Sequence, residues 1–228
     1  MNFLHANWKA PQFVKACTTT ADECDKDYNL RLGNTRDWIK QQFDFKEDPA
    51  WLHQTHSNIC INVDNTHERQ ADASVTRAIK KPLVILTADC LPILISHRHQ
   101  PEIAAIHAGW KGLFNGIIEK TIANLSDAPK NYLVWFGPAI CQQCYGISDT
   151  FRLDFLNQYP HSAHCFEYRS QWHFSLTQMA QQIFNKHGIE DINYSNACTF
   201  ENEKFYSYRR SQGTDGRIAT FIWLEDAS

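Results

Sequence analysis

The apolar positions of this chain fall into short runs of two kinds. Residues 83–86, 91–95 and 103–106 are continuous apolar stretches, the pattern of strands buried on both faces. Residues 51–56, 59–63, 132–136, 189–194, 204–208 and 217–224 read as further strands, with 132–136 stopped by Gly137-Pro138. A different period governs the rest. Leu113, Phe114, Ile117, Ile118, Ile122 and Leu125 recur at helical spacing. Asn34 is the expected cap of a helix over 35–43 whose inner face is Trp38, Ile39, Gln42 and Phe43. Two amphipathic helices are predicted over 149–159 and 175–187, the second capped by Ser175 and ended by Gly188. Strands and helices mixed in irregular order predict an α+β fold rather than a strict βαβ alternation.

Composition narrows this picture without changing it. No repeat, low-complexity block or Pro/Gly/Ser-rich linker divides the 228 residues, so one domain spanning 1–228 is expected. Apolar residues make up 43% and charged residues 21%, enough for a core. The net charge is −3 and the basic residues are scattered, which argues against a duplex nucleic acid partner. The N-terminus lacks a basic start followed by a long apolar stretch. The longest apolar segment, 82–96, holds Asp89 and Pro92 and is too short to span a bilayer. A cytoplasmic protein is therefore expected, with its eight cysteines kept as thiols.

Candidate chemistry sits at the ends of the apolar runs. One run ends on His107 in Glu102-Ile-Ala-Ala-Ile-His107-Ala-Gly-Trp-Lys-Gly112, a second on Asp89-Cys90, and a third on His56. On a strand Gln54 and His56 share a face while His53 takes the other, which selects His56. Two imidazoles and a thiolate suit zinc, and three protein ligands leave a position for water or substrate. Spacing alone leaves other readings open, since the short C-x-x-C or H-E-x-x-H grammar is missing. Cys90 also fits inert packing, or a Cys-His nucleophile with His107. Asp89 fits an outer carboxylate orienting a ligating histidine, a general base, or a turn aspartate bonding its own backbone.

Further candidates flank these three. Lys111, between Gly109 and Gly112 ahead of a helix, suits a phosphate or carboxylate, or belongs to an ordinary glycine turn. Cys141-Gln-Gln-Cys144 has redox or metal spacing, but no second C-x-x-C exists to complete a four-thiol site. A structural or substrate-wall role is expected there, with Tyr145 stacking on a planar ligand. Of Arg209 and Arg210, one is expected to be a solvated charge and the other a phosphate contact.

Several motifs taken together resemble one family. They are Gln54-Thr-His56, Thr87-Ala-Asp-Cys-Leu-Pro-Ile93, His107-Ala-Gly-Trp-Lys-Gly112, Gly137-Pro-Ala-Ile140 with Cys144-Tyr145, and Phe205-Tyr-Ser-Tyr-Arg-Arg210 followed by Gly216-Arg217. In order and across nearly the whole chain, they resemble the multicopper polyphenol oxidoreductase (laccase-domain) family, also called the purine nucleoside phosphorylase or peptidoglycan editing factor family. The resemblance implies a layered sandwich of mixed β-sheet and helices, grouped with cysteine-hydrolase-like folds. It implies zinc on His56, Cys90 and His107, with copper in some preparations. Catalysis would fall to Cys90, His107, Asp89 and Lys111, and substrate contacts to Asn29, Gln54, Tyr145, Arg209 and Arg210. The implied activity is phosphorolysis of adenosine, inosine, guanosine and methylthioadenosine, with adenosine deamination, in a monomer or weak homo-oligomer whose partners are a purine nucleoside and phosphate. Alternatives are hydrolytic editing of a peptidoglycan precursor, copper-dependent phenol oxidation, and a zinc-stabilised nucleotide-binding module. The chain departs from the pattern at Lys111, usually arginine, at Cys141-Gln-Gln-Cys144, usually Cys-Cys-Tyr, and around Asn29.

Overall fold

A strand that is apolar on both faces needs a covering layer on each side, and that requirement organises the whole molecule. The structure is a computed structural model that describes residues 3–21, 33–43, 45, 47–213 and 216–226. In chain order the first strands are β1 (Phe3–His5), β2 (Val14–Thr19), β3 (Ala50–Trp51), β4 (Cys60–Asn62), β5 (Ala73–Thr76), β6 (Leu83–Thr87), β7 (Leu91–His97) and β8 (Ile103–Ala108). After them come β9 (Tyr132–Phe136), β10 (Gly146–Ile147), β11 (Phe166–Tyr168), β12 (Trp172–Phe174), β13 (Ile192–Tyr194) and β14 (Ile218–Leu224). The helices are α1 (Gly33–Gln42), α2 (Trp110–Phe114), α3 (Ile117–Ile122), α4 (Asp149–Gln158), α5 (Leu176–Lys186) and α6 (Tyr208–Ser211).

Two large mixed sheets lie face to face. One has the order β1-β2-β14-β6-β3 and the other β13-β9-β7-β8-β5-β4, while β10-β12-β11 form a small third sheet. Successive residues of the central strands divide between two cores. Leu94, Ile103, Ala105 and Trp135 of the six-stranded sheet pack against Leu83, Ile85 and Ile222 of the five-stranded one. Their neighbours Ile93, Ile95, Ala104 and Ile106 turn to the opposite face and meet Leu113, Ile117, Met179 and Phe184 of the helices. The outer face of the five-stranded sheet is covered by Ile39 of α1 and by Phe45, packed on Val84 and Phe221. The result is a layered α+β sandwich. Among the described residues no helix is long and apolar enough to cross a membrane.

The departures from sequence expectation have local causes. Of the segment 51–56 only Trp51 is strand, as the second residue of β3. Beyond it His56 takes φ +60°, in the left-handed region that β structure excludes. The helical run from 113 is two helices, because Gly116 at φ +85° breaks it. Residues 204–207 form a turn and an irregular stretch rather than a strand, and 208 opens α6. The Arg210 guanidinium bonds the carbonyls of Thr199, Phe200 and Phe205, and Ser207 caps α6 at the Arg210 amide. Helix α1 starts at Gly33, so Asn34 stands inside it. Strands β2 and β5 were not anticipated, since lysine and serine interrupt their apolar pattern.

Leu94 has no exposure and lies between the two sheets. Leu94→Ala is expected to lower unfolding free energy by about 2–5 kcal/mol. Urea unfolding should show a lower midpoint at unchanged slope.

Candidate functional site

Strand register brings the candidate donors together. Strands β7 and β8 are antiparallel neighbours with Pro92 opposite His107, so Cys90, two residues before Pro92, lies beside the end of β8. On the other side of β8, Ala73 of β5 pairs with Ile106, and the His107 amide donates to the Asp72 carbonyl at 2.7 Å. His107 is thus flanked by Asp72 and Cys90. Cys90 itself lies where the chain crosses from the five-stranded sheet (β6) to the six-stranded one (β7).

His56 comes from a loop with little regular pairing, and the Asp72 side chain holds that loop. Its carboxylate accepts from the amides of Thr55 (3.1 Å), His56 (3.0 Å) and Ser57 (2.7 Å) and from the Ser57 hydroxyl (2.6 Å). It also accepts from His107 Nδ1 at 2.7 Å, which leaves His107 Nε2 to face the cleft. Burial alone would raise the Asp72 pKa, but the bonds from His107 and Ser57 outweigh it and hold the carboxyl at about 2.

The donor atoms of His56, Cys90 and His107 all lie within 4.8 Å of one another. Cys90 Sγ is 3.7 Å from His56 Nε2, and the two imidazole rings meet edge to face at 4.7 Å. Burial opposes charge on Cys90, yet the two neighbouring histidines draw its thiol below the ordinary value. His107 is raised despite its burial, by Cys90 and Asp72. Gly109 leaves room for this set: a Cβ there would stand 2.9 Å from both Cys90 Sγ and His56 Cδ2.

These side chains open into a cleft of about 790 Å³. Its walls include Arg36, Arg209 and Arg217 and the rings of Trp110, Tyr145 and Tyr208. Arg209 lies over the Tyr145 ring and donates to the Gly146 carbonyl at 3.3 Å. Other expected residues stand differently. Gln54 lines the cleft, but both ends of its amide bond the backbone of Leu86 (2.8 and 2.9 Å). Asp89, at φ +85°, accepts from Thr199 Oγ1 (2.6 Å) and the Arg209 amide (2.7 Å), so it orients no histidine. Lys111 is exposed beside the Trp110 ring and does not line the cleft. Arg210, half-buried and absent from the cleft wall, is engaged by three loop carbonyls. Asn29 falls outside the described residues.

The model of the multi-copper polyphenol oxidoreductase laccase family matches residues 19–225. The chain belongs to that family. It is 31% identical over 235 residues to purine nucleoside phosphorylase YfiH of Shigella flexneri, covering 95% of this chain and 96% of that protein. It is 33% identical over 245 residues to a purine nucleoside phosphorylase of Haemophilus influenzae, covering 99% and 100%. The crystal structure of a Neisseria meningitidis protein superposes with a TM-score of 0.87 at 31% identity, covering 99% of this chain and 100% of that one.

Membership of the laccase family implies a bound metal, and the residues present fit one. Two ring nitrogens and a sulfur converge, a carboxylate orients one ring from behind, and at Gly109 the absence of a Cβ lets the backbone pass close to Cys90 and His56. Sequence reasoning missed Asp72 and Arg36, and it quoted Arg217 within a motif without giving it a role. The available signal for Asp72 was a lone carboxylate directly ahead of the small-residue run Ala73-Ser-Val-Thr76, where burial demands donors.

Asp72→Asn should lower metal affinity on the order of 10–100-fold, measured by chelator competition. In metal-free protein the sign of the pH effect follows from the lowered pKa. Stability contributed by ionised Asp72 is complete above its ordinary value of 3.8 and is lost as pH falls toward about 2. Urea midpoints measured across that window should be flatter in Asp72→Asn than in the wild type.

Proposed function

We propose that the chain acts as one domain and is a metal-dependent purine nucleoside phosphorylase, with adenosine deamination as a second activity of the same cleft. One observation carries the reading: arginines and flat aromatic rings surround a three-donor metal set in a single cleft. The names of the relatives from Shigella flexneri and Haemophilus influenzae support the substrate class. We assign zinc to His56, Cys90 and His107, because one thiolate and two imidazoles suit it and three protein ligands leave a position open. When bound, zinc supplies a Lewis acid that polarises oxygen and lowers the pKa of water.

The remaining work falls to side chains of the chain itself. In phosphorolysis a phosphate oxygen bonds to the anomeric carbon of ribose as the bond to the purine nitrogen breaks. Arg209 is the cation we assign to phosphate, since its fork matches two oxygens at once. Its contacts with Gly146 and the Tyr145 ring orient it before phosphate arrives. Trp110, braced edge to face on Phe151 at 5.2 Å, offers a flat surface for the purine. Burial and the nearby Cys90 and Asp89 push the Tyr145 hydroxyl up, so it stays protonated as a donor to the leaving base. Lys111, outside the cleft wall, has no part in this scheme.

Incubation with adenosine, with and without phosphate, tests the reading. Adenine and ribose 1-phosphate are expected only when phosphate is present, and inosine in either case. Oxidation of a phenol without nucleoside turnover would overturn it in favour of copper chemistry. Arg209→Ala removes a charge-assisted contact of about 1.5–3 kcal/mol. Phosphorolysis kcat/KM should then fall by roughly one to two decades, with deamination little changed. Lys111→Ala should behave like the wild type in both assays.

A further inference from the structure

A loop that walls the cleft through Ile140 and Tyr145 meets the loop after the strand at 192–194 at a second set of soft donors. Cys141 and Cys144 bracket a 3-10 turn closed by the Cys144 amide on the Cys141 carbonyl (3.1 Å), which sets their sulfurs 3.5 Å apart. The loop after β13 runs alongside. Ala139 donates to the Ala197 carbonyl at 3.2 Å and Thr199 donates back to Ala139 at 3.1 Å. This lacing lets Cys198 Sγ accept the Cys141 amide at 3.3 Å. A following turn, closed by the Asn202 amide on the Cys198 carbonyl (3.0 Å), brings Glu201 Oε2 to 3.9 Å from Cys141 Sγ. All four donor atoms lie within 4.8 Å of one another.

We propose that Cys141, Cys144, Cys198 and Glu201 form a second, structural zinc site, separate from His56, Cys90 and His107. In sequence the site is a C-x-x-C followed by a C-x-x-E. A search for paired C-x-x-C motifs therefore meets only half of it. A tetrahedral zinc with bonds of about 2.3 Å to sulfur has sulfur–sulfur edges of about 3.8 Å. The Cys141–Cys144 sulfurs stand just inside that edge at 3.5 Å, and no two of the four donors are more than 4.8 Å apart, within reach of one ion after a small adjustment. Four protein donors close the coordination sphere, the mark of a structural rather than a catalytic zinc. The amide bond to Cys198 Sγ is the kind of outer contact that steadies a thiolate ligand. The three cysteines are half-buried and Glu201 is exposed, which leaves an entry path for the ion.

The ion would clamp the loop that leads into Tyr145 to the loop that carries Thr199, whose hydroxyl holds Asp89. Its role is to fix the cleft wall, and it does not depend on the nucleoside reading. Zinc binding leaves the sulfurs in their reduced state and releases protons from the thiols. The rival, a Cys141–Cys144 disulfide, removes two electrons and needs an oxidant.

The full chain, stripped of metal under reducing conditions and titrated with zinc and then cobalt(II), decides between them. Two equivalents per chain are expected. Cys198→Ser should lose one, together with the stronger sulfur-to-cobalt charge-transfer band. His107→Ala should lose the other. Glu201→Gln, altered only at an exposed ligand, should keep the fold and weaken one site on the order of tenfold or more. If Cys198→Ser fails to fold, wild-type stoichiometry and Glu201→Gln carry the test. Binding of one equivalent that His107→Ala abolishes and Cys198→Ser and Glu201→Gln leave intact would overturn the proposal. So would two equivalents that both survive Cys198→Ser, or a Cys141–Cys144 disulfide that persists in reductant. A single equivalent lost only with Cys198→Ser would uphold this site and remove the His56–Cys90–His107 metal instead.

Discussion

A carboxylate with no exposure to water, Asp72, organises the cleft. An ion in that position is costly unless its lone pairs are filled. Asp72 meets the condition with five donors from two separate segments, the 55–57 loop and the end of β8. Three consecutive backbone amides converging on one anion form a small concave anion site. The loop bearing His56 is thereby fixed without strand pairing. The positive φ of His56 is a strained conformation that persists only when its surroundings over-determine it, and the amide bond to Asp72 is the main such restraint. One side chain therefore sets both the rotation of the His107 ring and the path of the chain through His56.

The same arrangement explains the electrostatics of Cys90. A thiol beside two imidazoles, one of them backed by a carboxylate, loses its proton more readily than burial alone would allow. That condition would equally prepare a Cys-His nucleophile. The arrangement differs from a simple dyad through His56, whose Nε2 lies 3.7 Å from the sulfur and turns a pair into a three-donor set. Asp89, next to Cys90 in sequence, serves a different structural end. Its strained backbone carries a carboxylate that joins the Thr199 loop to the start of α6, and this aims the Arg209 side chain across Tyr145.

Much of this was legible before any coordinates. The double-sided apolar runs became β6, β7 and β8, and the candidate donors at their ends do meet. The reasons were partly different. His56 was selected by strand alternation, yet it lies in a loop, and its selection comes from hydrogen bonds to a residue sixteen positions away. Lys111 carried the right charge in the right neighbourhood, but it is exposed beside the Trp110 ring and is not among the residues that line the cleft. Arg209 and Arg210 are indistinguishable as a dipeptide; the short helix α6 sends one into the cleft and the other onto three carbonyls. Gln54 was recognised by its motif and proves to anchor the loop to β6 through Leu86.

By itself, the sequence determined which segments must be buried on both faces, where one helix starts and stops on Ser175 and Gly188, and which residue types were available as soft donors. Those properties are local, written in periods of two and 3.6 residues and in the chemistry of single side chains. Tertiary structure alone decided that Asp72 stands behind His107, that Arg209 rather than Lys111 faces the cleft, and that Cys198 and Glu201 complete what Cys141 and Cys144 begin. Each of those outcomes depends on strand register or on the lacing of loops distant in sequence. A one-residue change of register would turn the same side chains to the opposite face, and no local pattern records which register is chosen.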